Sequence, residues 1–229
     1  MESFSQEEDD HEGYSSEFTA GVNFNTNSAI IGGIEGKYTR EIKKGQYHFF
    51  GLELVNVKHP KEQRVSSTTT GNLYIYQKKN NLFALRLQYG REIVVFHPAE
   101  EEGVQVNFIF AGGPTLGIVK PYMVEYDYGN YSQIEPFDPD KNRAILGGGG
   151  LFSGVGRSKI VPGLNVKASF SFEFSQFRGS VTGIEVGGLV EAYTKRIELL
   201  AIPSVVTPQP YNAAAFTSIF VNIFFGFRK

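Results

Sequence analysis

Apolar and polar side chains alternate with a period of two along most of this chain, and this pattern constrains its fold most strongly. In residues 164–174, the even positions carry Leu, Val, Ala and Phe, whereas the odd positions carry Asn, Lys, Ser and Glu. Successive side chains of a β-strand point to opposite faces, so this period predicts strands. The same alternation recurs in residues 18–24, 30–42, 50–54, 83–89, 104–110, 182–192 and 215–227. The chain is therefore predicted to be all-β.

The apolar faces of these strands favour a membrane-spanning barrel over a soluble one. Their length approaches the ~9–11 residues that a tilted strand needs to cross a bilayer. Charge is absent from their middles, where a basic residue facing lipid costs ~2–4 kcal/mol. Arg40 and Arg91 share the apolar face, but only near strand ends. Because the apolar side chains are too uniformly large for a narrow lumen, we expect them to face lipid.

The polar face is then expected to line the barrel interior. An eight-stranded barrel is just wide enough to be filled by its own side chains. The sequence therefore predicts an interior network of paired charges, with a narrow pore that favours cations as the alternative. The predicted network comprises Glu35, Lys37, Glu53, Arg86, Lys167, Glu173, Glu185 and Glu191.

The connections predict an antiparallel up-and-down topology. Strands are expected near 17–26, 28–43, 46–58, 82–96, 103–122, 161–176, 181–195 and 214–229. The links between them alternate between short and long after a tight first turn, as outer-membrane barrels require. Eight strands then place both chain ends on one side. A ten-stranded alternative makes 73–77 a barrel strand and breaks the fifth strand at Gly112–Pro114.

Composition excludes several classes of function. The net charge is −2, which gives no basic face for nucleic acid. The chain has no cysteine, so disulfides and thiolate metal sites are excluded. No apolar run reaches the ~18 residues of a transmembrane helix. No cofactor is expected.

Residues 1–16 are polar and acidic, and they predict a short disordered tail ahead of a single barrel domain at 17–229. The amino end lacks the basic start and apolar core of a signal peptide. An outer-membrane protein must be exported, so the signal is expected to have been removed.

Three patterns that resemble catalytic or metal sites are incomplete. Gly147–Gly150 lacks the Gly-Lys-Ser/Thr ending of a phosphate-binding loop. Asp138, Asp140 and Asn142 match the first three ligands of a calcium loop, but Arg143 stands where its glycine belongs. A loose calcium site there is the alternative to a polar turn. His48 alone among the histidines lies within a strand, near a short turn. We therefore expect neither an enzyme nor a tightly bound metal.

Several stretches resemble a family of outer-membrane β-barrel proteins of Bacteroidota that has no settled activity. They are ELVNVKHPKE at 53–62, AGGPTLGIVKPY at 111–122, VPGLNVKASFSFEF at 161–174 and FFGFRK at 224–229. Phe225 and Phe227 also resemble the carboxy-terminal assembly signal of bacterial barrels. The resemblance implies location in the outer membrane, contact with its lipid and insertion by the barrel assembly machinery.

The leading functional hypothesis is a non-enzymatic structural or interaction subunit of the cell envelope. Its contact surface to other envelope proteins is expected in the second long loop, which is rich in aromatic residues. These are Tyr122, Tyr126, Tyr128, Tyr131 and Phe137. The alternatives are the narrow cation-favouring pore and a soluble lipocalin-like barrel, which would have apolar side chains inside and charges outside.

Overall fold

In the computed structural model, the described residues are 14–28, 31–96, 103–150, 152–174, 179–201 and 213–229. They form thirteen strands and one short 3-10 helix at Val155–Arg157. In chain order the strands are β1 Ser16–Asn25, β2 Gly33–Lys43, β3 Gln46–Val57, β4 Arg64–Ser66, β5 Leu73–Ile75, β6 Asn80–Phe96, β7 Gln105–Pro121, β8 Met123–Asp127, β9 Ser132–Pro136, β10 Ile145–Gly148, β11 Lys159–Glu173, β12 Ser180–Ile197 and β13 Ala213–Arg228.

Eight long strands close into one antiparallel barrel, in the order β1, β2, β3, β6, β7, β11, β12 and β13. The ring closes where β1 pairs with β13, from Glu17 opposite Arg228 to Asn25 opposite Phe220. Each barrel strand pairs with the barrel strands before and after it in the chain. The predicted eight-stranded up-and-down barrel is confirmed.

The ten-stranded alternative is wrong for two local reasons. Strand β5 pairs with β4 outside the barrel. Strand β7 continues through Gly112–Pro114 and stays paired with β11 throughout. Pro114 lacks a backbone N–H, and the ladder to β6 skips two positions between the pairs Arg86–Thr115 and Tyr89–Gly112. Proline therefore interrupts one ladder without ending the strand.

Several strands begin or end at residues other than those predicted. The predicted second strand began at residue 28, but β2 begins at Gly33 because Ser28 and Gly32 donate backbone hydrogen bonds to Asn25 and Asn23. Strands β6, β11 and β12 each extend two residues further at the loop end than predicted. Between β2 and β3, Gly45 takes a positive φ of 74° and the register shifts between Glu41 and Lys43, as in a hairpin whose turn ends in a glycine bulge.

The two faces of the barrel are distributed as the alternation predicts. Outward side chains are apolar and exposed; Ile219, Phe225 and Leu164 are 65%, 61% and 68% exposed. Inward side chains such as Glu53 and Asn222 are polar and buried. Soluble monomers rarely expose a continuous apolar surface of this kind, whereas hydrocarbon stabilises it.

The amino-terminal end of the described chain packs against the barrel. Strand β1 begins at Ser16, one residue before the predicted boundary, and the ring of Tyr14 stacks on Tyr47 with centroids 4.4 Å apart. The expected tail at 1–16 falls mainly on residues outside the described part. Within the described residues, no helix is long and apolar enough to cross a membrane.

Substitution of Val221 by Lys tests what the outward face contacts. Val221 lies near the middle of β13 and is 36% exposed, so in water this change would cost little. Against lipid we expect Val221→Lys to lower the free energy of unfolding by ~2–4 kcal/mol, measured by urea titration in lipid vesicles. Leu73→Lys in β5, outside the barrel, is the matched control and should change stability by under about 0.5 kcal/mol. Equal effects of the two substitutions would contradict a lipid-facing surface.

Candidate functional site

The interior of the barrel holds a continuous polar network. We call the end that carries the β2–β3, β6–β7 and β11–β12 links the turn end, and the opposite end the loop end. The predicted network residues all occupy inward positions, and their side chains are almost fully shielded from solvent. The network contains three charge clusters, which are described from the loop end to the turn end.

Arg86 is the centre of the cluster nearest the loop end. Its Nη1 atom donates to Glu53 Oε2 at 2.9 Å, on the neighbouring strand β3. Its Nε and Nη2 atoms donate to the two carboxylate oxygens of Glu191 at 2.9 and 3.1 Å. Glu191 lies on β12, which is not a neighbour of β6, so this bidentate pair crosses the lumen.

Lys167 is the centre of the middle cluster. Its Nζ atom lies 2.9 Å from Glu185 on β12 and 3.6 Å from Glu35 on β2. Ser169 donates to Glu185 at 2.6 Å, and Asn222 donates to Glu35 at 2.7 Å. The carboxylates therefore have hydrogen-bond donors in addition to the ammonium group.

Asn23 joins these two clusters. Its amide nitrogen donates to Glu53 at 2.9 Å and to the amide oxygen of Asn222 at 2.6 Å. Through Asn222 the chain of hydrogen bonds continues to Glu35. A buried network in which each member is satisfied holds its strands in one register.

Lys37 and Asn107 organise the cluster at the turn end. Lys37 Nζ donates to Glu92 at 2.9 Å and lies over the rings of Phe49 and Phe224, 5.4 and 5.6 Å from their centroids. Asn107 donates to Glu92 at 2.7 Å and to Glu173 at 2.6 Å.

Arg228 completes the turn-end cluster and joins strands across the closure of the ring. It forms ion pairs with Glu17 on β1, at 2.5 Å, and with Glu173 on β11. Its guanidinium lies 4.2 Å from the centre of the Tyr14 ring. The last strand of the barrel is thus joined by charge to the first strand and to β11.

The predicted network left out Glu17, Glu92 and Arg228, although the alternation places Glu92 on the same polar face as Arg86. Arg228 lies two residues beyond Gly226 on the inward face. Glu17 likewise lies two residues before the inward Thr19. Parity along the strand would have identified both. Which charges meet across the lumen depends on barrel closure, which no local pattern encodes.

Each of the interior carboxylates in these clusters contacts a base. Four bases of the described interior pair with its seven carboxylates: Lys37 with Glu92, Arg86 with Glu53 and Glu191, Lys167 with Glu35 and Glu185, and Arg228 with Glu17 and Glu173. Lys37, Glu53 and Lys167, which line the middle of the lumen, are only 4%, 1% and 2% exposed. This part of the interior is therefore filled by its own side chains.

An apolar cluster lies above the Arg86 cluster at the loop end. It consists of Val55, Val57, Leu82, Ala84, Tyr193, Ile197 and Leu199, with Val119, Val161 and Phe216 packed against it. These side chains come from the loop ends of several barrel strands. A path through the lumen would have to cross both this cluster and the ion pairs.

The two long links 58–79 and 122–158 fold into a separate structure at the loop end, which we call the outer cap. It contains the β4–β5 hairpin and a three-stranded sheet in the order β10, β8, β9. The two links are joined where Ile75 N donates to the hydroxyl of Tyr122 at 2.9 Å and where the hydroxyl of Ser67 donates to Ile145 O at 2.7 Å. Sequence analysis predicted these links as loops, because strands of three to five residues show too little alternation.

A buried ion pair anchors the first link of the cap. Lys78 Nζ donates to Glu62 Oε1 at 2.7 Å, and Lys78 is 1% exposed. Burial lowers the pKa of Lys78, although the carboxylate of Glu62 acts in the opposite direction. The backbone of Lys78 also bridges to Leu200, so the base of the cap is fixed to the end of β12.

The aromatic residues of the second link do not all form a contact surface as expected. Tyr126 is 1% exposed, and its hydroxyl receives a hydrogen bond from Asp138 N at 3.0 Å. Burial raises the pKa of Tyr126. The hydroxyl of Tyr122 is engaged by Ile75. These two tyrosines hold the cap together, whereas Tyr131 is 59% exposed and stacks on Tyr128 at 5.0 Å.

Basic side chains border this aromatic pair. Lys141 Nζ lies 5.1 Å from the ring centre of Tyr128, and the Arg143 guanidinium lies 4.5 Å from it. Lys141 also pairs with Glu135, and its hydrogen bond lowers the pKa of the Glu135 carboxyl. The exposed part of the cap therefore combines stacked aromatic rings with fixed charges.

The incomplete motifs form local structure in the cap. The carboxylate of Asp138 accepts a hydrogen bond from Asp140 N at 3.0 Å, as in a polar turn. Among the described residues, no group of three or more His, Asp or Glu side chains could hold a metal ion. Gly147 and Gly148 belong to β10 and pair with Glu125 and Val124.

Phe225 and Phe227, the proposed assembly signal, point outward from β13 and are 61% and 69% exposed. Strand β13 pairs with β1 on one side and β12 on the other. His48 also faces outward, with its ring 6.2 Å from that of Tyr89.

Comparison with known proteins gives similarity of fold only. No protein-family model matches the chain, and no curated protein matches it. One similar solved structure is Ail, the attachment invasion locus protein of Yersinia pestis, in complex with the heparin analogue sucrose octasulfate. It is 10% identical, with 93% of this chain and 97% of that chain covered and a TM-score of 0.39. Another is Neisserial surface protein A, 10% identical, with 95% and 100% covered and a TM-score of 0.38. The eight-stranded antiparallel ring of this chain is established by its own strand pairing.

Removal of Arg86 tests whether the interior charges depend on one another. Arg86→Met leaves Glu53 and Glu191 buried without their shared base, so we expect a loss of about 3–5 kcal/mol in the free energy of unfolding. The triple variant Glu53→Gln/Arg86→Met/Glu191→Gln should recover most of that loss, because no charge is then unpaired. Arg157→Met, at an exposed position in the cap, is the control and should cost under about 0.5 kcal/mol. A triple variant less stable than Arg86→Met would contradict this account.

Proposed function

We propose that this protein is an integral outer-membrane barrel that acts as a non-enzymatic structural or interaction subunit of the cell envelope. Support for the membrane location comes from the exposed apolar surface on the barrel strands and the filled polar interior. The start of β1 and the end of β13 both lie at the turn end, as in outer-membrane barrels, where that end faces the periplasm. The outer cap is then on the cell exterior.

The observation that carries the interaction role is the packing of the outer cap. Two links far apart in sequence are joined by hydrogen bonds and supported by the buried Lys78–Glu62 pair. Such a surface loses little conformational entropy on binding, and preorganisation of this kind favours affinity. Its exposed apolar side chains include Leu73, Tyr76, Tyr131, Ile134, Phe152 and Val155.

The two alternative functions fit the interior less well. A cation-favouring pore needs a path, but the Arg86–Glu191 pair crosses the lumen below the apolar cluster. A lipocalin-like barrel needs an apolar cavity inside and charges outside, whereas the observed faces are opposite.

The resemblance of four sequence stretches supports a further proposal, that the chain belongs to the Bacteroidota family of outer-membrane barrels. On that basis the barrel assembly machinery would recognise the carboxy-terminal strand with Phe225 and Phe227. The outward, exposed position of both rings is compatible with contact by an insertion factor during assembly.

Planar-bilayer recording distinguishes the closed barrel from the pore. We expect purified protein to give no stable single-channel steps, because the lumen is blocked by ion pairs and by the apolar cluster. A general porin added to the same bilayer controls for sensitivity. Reproducible steps with cation selectivity would favour the pore instead.

Site-specific photocrosslinking tests the cap as a contact surface. A photoreactive amino acid at Ile134, which is 49% exposed on β9, should give an adduct of one defined mass in intact cells. The same group at Val124, which is fully buried in the neighbouring strand β8, is the matched control and should give none. Absence of adducts at Ile134, Tyr131 and Leu73 alike would contradict the interaction role.

A further inference from the structure

Three basic residues occupy neighbouring outward positions on the barrel surface. Arg40 on β2 lies opposite His48 on β3, and His48 lies opposite Arg91 on β6. Directly opposed residues on paired strands have Cβ atoms about 4.5–5.5 Å apart. We call Arg40, His48 and Arg91 the basic row.

The basic row is exceptional on a surface that is otherwise apolar. Apart from side chains at strand ends, the outward positions of the described barrel strands carry no other charged group. Within the described residues, none of the ion pairs involves Arg40 or Arg91. The nearby Glu92 points inward and is paired with Lys37. Arg40 and Arg91 thus lie on either side of His48, and neither forms an ion pair with a described residue.

An aromatic row borders the basic row on the side of the barrel middle. The aromatic row consists of Tyr38, Phe50 and Tyr89, which lie opposite one another on the same three strands. Each is two residues from the basic residue of its own strand, toward the loop end. The rings of Phe50 and Tyr89 are 5.0 Å apart, and the His48 ring lies 6.3 Å from Phe50. Aromatic residues of this kind mark the boundary between hydrocarbon and headgroups.

The position along the strands places the basic row on the turn side of that boundary. Arg40 is three residues from the end of β2 and His48 is two residues from the start of β3. Arg91 is five residues from the end of β6, and arginine side chains extend their charged ends toward the interface. The three side chains can therefore reach one lipid headgroup.

We propose that the basic row binds the phosphate of an anionic phospholipid in the leaflet at the turn end of the barrel. Guanidinium groups hold phosphate oxygens through paired hydrogen bonds. The acyl chains of the same lipid would lie along the exposed Leu52 and Leu87, which follow the aromatic row. Since the row includes no carboxylate, it offers no partner for the ammonium group of a zwitterionic headgroup. This inference rests on the proposed membrane location.

Lipid titration followed by native mass spectrometry tests the proposal, with phosphatidylglycerol and phosphatidylcholine as probes. We expect phosphatidylglycerol to bind on the order of tenfold more tightly, because each basic group near the surface adds to the attraction of anionic lipid. Arg40→Gln/Arg91→Gln should abolish that preference. The matched control Lys195→Gln/Arg196→Gln removes the same charge from exposed positions at the loop end and should retain it.

A gel run with heated and unheated samples of each variant separates this proposal from the membrane proposal. A compact band that shifts on heating, together with equal binding of the two lipids, would overturn the lipid site alone. A phosphatidylglycerol preference that survives in Arg40→Gln/Arg91→Gln, or that disappears in Lys195→Gln/Arg196→Gln, would overturn it as well. Failure of the unmodified protein to give the compact band in detergent would overturn both proposals.

Discussion

Pairing of buried charges inside a closed ring is the constraint on which the rest of this structure depends. Seven glutamates project into the interior of the ring, where their side chains are shielded from solvent, so each needs a base. Arg86, Lys167 and Arg228 each bind two carboxylates, and one of each pair comes from a strand that is not a neighbour. These contacts are possible only at one circumference and one register.

The cost of burying charge explains why the network extends beyond ion pairs. Taking a carboxylate out of water is offset only when its remaining lone pairs also find donors. Asn23, Asn107, Asn222 and Ser169 supply those donors. The network thus specifies the closure of the barrel.

The surfaces are consequently where this barrel can interact. At the loop end, two links form a cap with buried tyrosines beneath and an exposed aromatic pair above. On the outer wall, the basic row holds two arginines that form no ion pair within the described part of the chain. Both features differ from the described interior, where each carboxylate of the three clusters is paired with a base.

Local alternation and the lengths of the links predicted the barrel strands, their inward and outward faces and the eight-stranded order, but they left a ten-stranded order open. They could not predict which charges meet, because Arg86 and Glu191 are brought together only by closure of the ring. Membership of Arg228 in the network depends on the pairing of β13 with β1, between the two ends of the chain. The cap was missed because its strands are short and its packing joins links distant in sequence. The bases at Arg40 and Arg91 were recognised on the apolar face, but only the register shows that His48 connects them.

Accessibility of spin labels along β13 tests the central claim most directly. The chain has no cysteine, so single cysteines can be introduced at 219–224 and labelled without background. In lipid vesicles, labels at 219, 221 and 223 should collide with oxygen, which concentrates in hydrocarbon, and not with a water-soluble nickel complex. Labels at 220, 222 and 224 should collide with neither, because those positions face the filled interior. Collision of the odd-numbered labels with the nickel complex would show that the apolar wall faces water and would contradict the account.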